Sequence, residues 1–460
     1  GGYDLKVFRG HRKLNQAAFA VIGLAGIFTL LPAVHDFPFF GFFSVFLLIL
    51  GFSLLSPSAL MLARELFRGF CKKTFRGEGL LACLNLTQNI GRNSIAVASL
   101  AIAFMMIVSM SIMIHSFRQT VIVWIGQTLQ ADLFVRPAMG SNIDYQYTLD
   151  AKQAKDLGGI AGVAAVDLFR ALDISYNDLP AVLASGDATV VSEFANLVMK
   201  TGPPARQLGQ WLAGHDRAIV SEAFSLKHDV GVGSLLKFNT PNGKMNLEVV
   251  GIYYDYSQER GYVVIDRTTY LKYYDDPNVN SVIVYLADKR RLNAVRKEIV
   301  KRMGTRKILI RTNSDLKREV LRIFDKTFGI TYSLEIIAML VAVLGLFNTL
   351  VSLTLERKRE TAILRFTGAF RSQIKRMVLI EAGILGLIGS AMGLIAGTAV
   401  SYILIFVVNK QSFGWTIQVH FPYGFIILST LLFWLASWTA GFYPARIAVR
   451  QNPMAAIRAE

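Results

Sequence analysis

Charge is what this chain most lacks. Only 18% of its 460 residues are charged, against about a quarter in an ordinary soluble domain. Fully 53% are hydrophobic, and the mean hydropathy is +0.42. The deficit excludes a disordered chain, a fibrous protein and a simple soluble enzyme, and it points to a membrane. Cysteine is nearly absent. Cys71 and Cys83 are the only two. Both fall in a charged linker expected in the cytoplasm, so reduced thiols are expected, and no disulfide can hold the long polar segment further on. There is no G-x-x-x-x-G-K-[ST] to cradle ATP phosphates, no H-E-x-x-H and no G-x-S-x-G. The six histidines, at 11, 35, 115, 215, 228 and 420, stand singly with no ligand spacing, so no metal site is expected. Asp255, Glu259 and Asp266 have no partner base or nucleophile spaced with them and read as strand-edge and turn carboxylates. Glu335 and Glu381 fall at the ends of apolar runs, and no carboxylate lies in the middle of one. That argues against a proton- or sodium-driven transporter and leaves an external source of energy.

What the chain has in quantity is long apolar runs. A spanning helix needs roughly 20 apolar residues. Six stretches qualify: Ala17–Val34, Phe37–Ala63, 93–114, 336–355, 382–408 and 421–443. Between the third and fourth lies a polar segment, 115–332. The chain begins at Gly1 and shows no small-residue cleavage site after its first run, so it reads as part of a longer chain.

The formal charge of +17 suits nucleic acid, an anionic surface or membrane loops. Its placement decides. Residues 115–330 hold 28 Lys/Arg and 23 Asp/Glu, while the remainder holds 21 and 9. Of those 21 basic residues all but Lys410 fall in four clusters: 6–13, 64–92, 357–376 and 446–458. Six alternating helices place the four clusters on one side, which the positive-inside rule makes the cytoplasm. Both ends of this chain are then inside, and 115–332 is outside. The expected organisation is a cytoplasmic segment 1–16, a helix pair 17–63, a linker with an amphipathic elbow helix 64–92, a spanning helix 93–114, the outside domain 115–332, and three spanning helices within 333–460. Nucleic acid is not an expected partner.

The outside segment reads as mixed α/β. Strands are expected at Ala131–Pro137, Ala165–Ser175, Ala218–Val220, Leu235–Asn239, Asn246–Tyr254 and Tyr262–Ile265, and helices at Ala151–Leu157 and Leu292–Arg302. Pro241-Asn242-Gly243 signals a hairpin, because Asn-Gly supplies the positive φ of a tight turn. His115–Gln130 and Asp315–Phe328 read as helical extensions forming a stalk. The basic run from Lys289 to Lys307 is read as the solvated face of a surface helix, with contact to anionic headgroups or an acidic partner as the alternative.

Two features carry mechanism. The fifth apolar run holds Gly383, Gly386, Gly389, Gly393 and Gly397; the last three share a helix face and allow close approach of another helix. Gly345 and Asn348 in the fourth run are read the same way, Asn348 as a hydrogen-bonding group at a helix interface. The loop 356–376 after that run holds Arg357, Arg359, Glu360, Ala362, Leu364, Arg365, Gly368, Ala369 and Arg371. Ala362, Ile363 and Phe366 recur at helical spacing and give a short helix an apolar face, as in an interfacial helix or a lever docked in a partner.

This loop resembles the coupling segment of FtsX-like (MacB-type) ABC transporter permeases, roughly R-x-E-x-A/G-x-L-R-x-x-G-A. The match falls on Arg357 or Arg359, Glu360, Ala362, Leu364, Arg365, Gly368 and Ala369. Glu381-Ala382 before the glycine-rich helix, the tail Tyr443-Pro444-Ala445-Arg446, and Asn85–Asn93 before the third run are similar to the same family. So is the order of one helix, a large outside domain and three helices over about residues 80–458. The leading pair resembles the linking pair of ten-helix members, and Tyr253–Tyr256, with Arg260-Gly261 and Asp266-Arg267, looks closest to YbbP-like permeases. Unlike MacB itself, this chain has no ATPase fused before its first helix.

The resemblance implies a polytopic α-helical membrane protein with one α+β extracytoplasmic domain on a helical stalk, in the bacterial inner membrane. It implies a permease subunit without a catalytic motif that couples a separate cytoplasmic ATPase dimer to the outside domain. No cofactor is expected in this chain, with ATP and magnesium held by that partner. The expected task is extraction or export of a lipid, lipoprotein or other hydrophobic substrate, with membrane lipids and a periplasmic protein as further candidate partners. The alternative is a transmembrane signalling scaffold that regulates a periplasmic cell-wall enzyme or senses a peptide.

Overall fold

The computed structural model describes residues 2–34, 37–128, 130–138, 145–257, 259–304, 308–356 and 358–450. The chain divides into two compact units. One holds Gly1–Phe117, Thr327–Ser412 and Gln418–Glu460; the other holds Arg118–Lys326 with Phe413–Ile417. The first is called the membrane unit below and the second the outer unit.

The membrane unit opens with α1 (Gly2–Phe28), α2 (Phe39–Gln88) and α3 (Ile90–Thr128). Six spans are expected from the sequence. Among the described residues, five helices are long and apolar enough to cross a bilayer, and the first expected span is not among them. Its apolar helical part is Lys13–Phe28, about 24 Å at 1.5 Å per residue against a hydrocarbon layer of about 30 Å. The helix stops because Thr29 and Leu30 turn and Pro32 follows, so Leu31–Val34 adds no helical length. Val34 and Phe37 then bridge, and α2 begins. The two helices pack closely: a Cβ on Gly51 would lie 2.5 Å from Cγ1 of Ile22.

Near its end α2 folds back on itself. A Cβ on Gly79 would lie 2.5 Å from the carbonyl oxygen of Cys71, whereas residues eight apart in a straight helix are about 12 Å apart. Cys71 and Cys83 lie in this fold-back as free, buried thiols. α3 has 39 residues, about 58 Å of helix, so a good part of it must lie beyond the hydrocarbon layer.

The outer unit is a mixed sheet with helices on it. Its elements run β1 (Leu133–Pro137), α4 (Ala151–Lys155), β2 (Val163–Tyr176), β3 (Leu179–Gly186), α5 (Ala188–Phe194) and β4 (Met199–Thr201). There follow α6 (Leu208–Leu212), β5 (Arg217–Ser221), α7 (Glu222–His228), β6 (Leu235–Thr240), β7 (Gly243–Tyr253) and β8 (Tyr262–Asp266). The last are α8 (Arg267–Tyr273), β9 (Ser281–Leu286), α9 (Leu292–Met303) and β10 (Ile308–Thr312). The strand order is β10-β1-β9-β2-β3-β8-β5-β7-β4, with β6 paired to β7. The turn at Asn242-Gly243 closes the β6–β7 hairpin, with Gly243 at φ +118°. β1 and β10, which directly follow α3 and precede α10, are antiparallel neighbours.

Two cores hold this unit. One gathers Leu133, Val135, Val282 and Val284 from the sheet against Val295, Ile299 and Met303 of α9. The other gathers Leu183, Val220, Leu247 and Val263 around Phe224 and Tyr270. Each such side chain contributes about 1.5–3 kcal/mol on burial. α9 and the 3-10 turn before it turn their cations outward: Lys289, Arg290 and Arg291 of the turn and Arg296, Lys297, Lys301 and Arg302 of the helix are all exposed. Arg306 and Lys307 of the same run lie outside the described residues. The three carboxylates singled out in sequence do separate jobs. Asp266 caps α8 and accepts from Ala188 N at 3.0 Å, Asp255 accepts from Ser257 N at 2.7 Å, and Glu259 lies in the turn before β8.

The chain then continues through α10 (Asn313–Glu356), α11 (Lys358–Phe366), α12 (Arg371–Ile403), a π-helical turn Leu404–Asn409, α13 (Lys410–Phe413), α14 (Tyr423–Ala440) and α15 (Phe442–Arg450).

Candidate functional site

α11 is a short helix between two long ones. Glu360 stands in its first turn and Arg365 in its last, the signs that suit the helix dipole. It closes in a reversal that needs glycine. Ala369 N donates to Leu364 O at 2.9 Å, Gly368 N to Arg365 O at 3.2 Å, and Gly368 sits at φ +99°. Phe370 N then donates to Gln373 Oε1 at 2.8 Å as α12 starts.

The surroundings of α11 come from the elbow of α2, the start of α12 and α15. Gln88 Nε2 donates to Glu360 Oε1 at 2.9 Å, and Arg92 pairs with Glu356. Arg365 reaches the carbonyl of Val449 at 3.4 Å. Ile374 and Val378 of α12 pack on Ala445 and Ala448 of α15. A cleft of about 460 Å³ lies between the elbow and the α11–α12 turn, lined by Phe75, Glu78, Leu81, Leu364, Ala369 and Met377 among others. A second cleft of about 420 Å³ is lined by Arg371, Ser372, Lys375, Ala445, Arg446 and Val449.

The apolar face expected of Ala362, Ile363 and Phe366 is divided. Ala362 is buried at 4%, while Ile363 is 50% exposed, Phe366 56% and the following Phe370 72%. Ala362 is small and buried in the membrane unit; Ile363 points about 100° round the axis from it, and Phe366, one turn further along nearly the same side, is left largely uncovered among the described residues. Glu360, Gly368 and Arg371 are exposed, and Leu364, Arg365 and Ala369 are half-buried. Arg357 lies outside the described residues, and Arg359 is placed by its helical backbone position alone.

The glycines of α12 sit at two interfaces. A Cβ on Gly389 would lie 2.7 Å from Cβ of Leu100, on Gly393 2.8 Å from the carbonyl of Ala101, and on Gly397 2.8 Å from the carbonyl of Met105. The numbers rise together, so α3 and α12 run in the same direction where they touch. Gly386 faces Ser437 of α14, and Trp434 Nε1 donates to Gly383 O at 3.0 Å. Gly345 and Asn348, expected at a helix interface, lie on an open face among the described residues. Both are exposed, nothing lies within 4 Å of a Cβ on Gly345, and Asn348 makes no helix-to-helix bond among the described residues. The physical reason is that their face of α10, with Ile337, Val341 and Leu344 exposed, is not covered by any of the described residues.

Several buried hydroxyls of the membrane unit bond backbone carbonyls, and Ser44 of α2 donates to that of Ala25 in α1 at 2.7 Å. Thr354, Ser390 and Ser437 each donate to the carbonyl four residues earlier, at 2.7, 2.8 and 2.9 Å. Glu381 is buried at 3% in α12, ten residues from its start.

Comparison with known proteins places both units. Residues 94–302 match the MacB-like periplasmic core domain, and residues 332–453 match the FtsX-like permease C-terminal domain. An ABC transporter permease protein of Mycobacterium tuberculosis is 27% identical over 387 residues, 83% of this chain and 45% of that protein. An ABC transporter permease of Methanocaldococcus jannaschii is 23% identical over 55% of this chain and 65% of its own length. The macrolide export ATP-binding/permease protein MacB of Bordetella avium is 27% identical over 36% of this chain and 25% of its own length. The chain thus spans less than two thirds of these relatives. The extracellular domain of the ABC-type transporter YknZ from Gram-positive bacteria superposes with a TM-score of 0.29 at 13% identity, over 40% of this chain and 99% of that one.

Proposed function

We infer, from a chain that is an ABC transporter permease of the MacB/FtsX type, that it works as the membrane subunit of an ATP-driven machine that moves its outer domain. The observation that carries this reading is the surface around α11. Three large apolar side chains, Ile363, Phe366 and Phe370, stand 50%, 56% and 72% exposed beside a turn fixed by a left-handed glycine. Scattered apolar residues on a surface are ordinary, but three together on a charged cytoplasmic loop fit a partner's groove. The proposed partner is a cytoplasmic ABC ATPase dimer, which would hold the ATP and magnesium. No phosphate-cradling loop occurs in this sequence.

The way force would pass follows from the helices. α11 is joined to α12, and α12 is locked along its glycines to α3. α3 and α10 lead into neighbouring strands of the outer sheet. With its buried hydroxyls bonded to its own backbone, the membrane unit offers little to a polar solute, which favours a role in moving a lipid, lipoprotein or other hydrophobic substrate from the outer face. The basic loops favour an orientation with α11 in the cytoplasm and the outer unit outside an inner membrane. The open face of α10 favours assembly with a second four-helix unit.

The test is the ATPase activity of the full-length protein purified with its ATPase. Phe366→Glu should abolish co-purification or vanadate-sensitive stimulation while the permease itself stays folded. Unchanged stimulation by that variant refutes the assignment. The signalling reading is favoured instead if a periplasmic enzyme is captured and no lipid moves in reconstituted vesicles.

A further inference from the structure

The segment Phe413–Ile417 connects α13 to α14, and so is tied in sequence to the membrane unit at both ends, yet it packs as part of the outer unit. Its attachment is specific. Thr416 N donates to Glu222 Oε2 at 3.0 Å, and Thr416 Oγ1 donates to Glu222 Oε1 at 3.0 Å. The Tyr256 hydroxyl donates to the Thr416 carbonyl at 3.0 Å, and the Trp415 ring meets Tyr256 edge-on at 5.6 Å. Gly414, at φ +67°, lies against Ala223, so close that a Cβ on it would be 3.7 Å from the Ala223 Cβ.

Glu222 is the unusual member. Its side chain is 1% exposed, with Lys200 Nζ at 2.6 Å. A buried carboxylate is costly unless it is paired and fully hydrogen-bonded. The start of α7 does not need it, because Ser221 Oγ already accepts from Phe224 N at 3.2 Å. Among the described residues three donors reach Glu222: Lys200, which supplies the countercharge, and the backbone N and side-chain hydroxyl of Thr416. A buried carboxylate beside Lys200 therefore grips Thr416 in a loop between membrane helices.

We propose that Phe413–Ile417 is a third mechanical linkage to the outer domain, beside the continuous helices α3 and α10, and that Glu222 is the positioning residue that latches it. This rests on the reading that the ATPase moves the outer domain. The linkage ties the far end of α12, the helix that α11 leads into, to β5 and α7 through Ser221–Glu222. A motion begun at α11 then reaches the outer sheet at a point remote in sequence from β1 and β10.

The test uses the full-length complex with its ATPase, and follows amide exchange in the nucleotide-free and vanadate-trapped states. Glu222→Ala should speed exchange of residues 413–417 by about tenfold or more, the scale of a lost charge-assisted hydrogen bond. It should also blunt the nucleotide-dependent change around β5 and α7. A Gly414→Cys, Ala223→Cys pair has the Cβ separation of a disulfide. Closed with copper phenanthroline in the Glu222→Ala background, it should restore that change, and a reductant should remove it again. If the segment does not loosen, the latch is wrong. If it loosens and the nucleotide response persists, the linkage is wrong while the coupling of ATPase to outer domain stands. If the unsubstituted complex shows no nucleotide response in the outer domain, both the coupling and the linkage fall.

Discussion

Gly393→Ala puts a side chain into one of the closest contacts between α3 and α12. A Cβ at this position would stand 2.8 Å from the Ala101 carbonyl, 2.9 Å from Phe104 Cβ and 3.1 Å from Met105 N. Two of those three atoms are backbone, which cannot rotate away, so α3 and α12 must separate by several tenths of an ångström. Overpacking of this kind costs about 1–3 kcal/mol. The alanine recovers up to about 1 kcal/mol of helix propensity, leaving a net loss of up to about 2 kcal/mol when that term is recovered in full. Gly345→Ala is the matched control, because nothing lies within 4 Å of its new Cβ. It should be neutral, or stabilising by up to about 1 kcal/mol. The assay is thermal unfolding of the purified chain in detergent, followed by tryptophan fluorescence. Gly393→Ala should melt a few degrees lower and Gly345→Ala no lower than the parent. Equal melting of the two variants refutes the interface between α3 and α12.

Gly368→Ala places a side chain at φ +99°, which costs about 1–3 kcal/mol locally; co-purification of the ATPase should fall while the melting temperature of the exposed α11 region barely moves. Asp167 gives a pH signature. Burial pushes its carboxyl up to about 7, with the charge of Asp187 adding to this and the bond from Asp187 N opposing it. The unfolded chain then loses that proton near pH 4 and the folded one near 7, so stability is fully present below about 4 and is lost as pH rises through about 7. Asp167→Asn, which stays neutral, should therefore gain melting temperature over the parent between pH 4.5 and 7.5 and hold a constant lead above that; a pH-independent difference refutes it. Asn348→Leu should leave the isolated chain as stable as before or more so. The same change should weaken association of full-length units if the open face of α10 meets another helix, which size-exclusion chromatography reads directly.

The legible parts of this chain were those with one dominant physical signal. Charge-free runs announced the long helices, and Pro241-Asn242-Gly243 announced the β6–β7 hairpin. β3 and β9 were not expected as strands. β3 is buried along nearly all its length and β9 along all but one residue, so neither alternates in polarity, and a short apolar run does not distinguish strand from helix. β4 has only three residues and is held by its partner β7, not by any pattern of its own. The first apolar run is long enough in residues, but the turn before Pro32 takes its last part out of the helix, which leaves Lys13–Phe28 as its apolar helical part. In α11 the spacing of Ala362, Ile363 and Phe366 correctly marked a helix, but which of them would be covered depends on α2 and α15, which no local pattern encodes. Gly389, Gly393 and Gly397 showed that something approaches closely, and only the fold identifies it as α3. Glu222 carried no signal at all: its importance comes from Thr416, 194 residues away in sequence.

The decisive contact is that of α11 with an ATPase. A photo-activatable cross-linking residue in place of Ile363 or Phe366, in the full-length protein expressed with its ATPase, measures this most directly. The predicted result is a covalent adduct with the ATPase at both positions, and none from Ile427, which is 62% exposed on the apolar α14. Adducts to lipid alone at Ile363 and Phe366, as at Ile427, would contradict it.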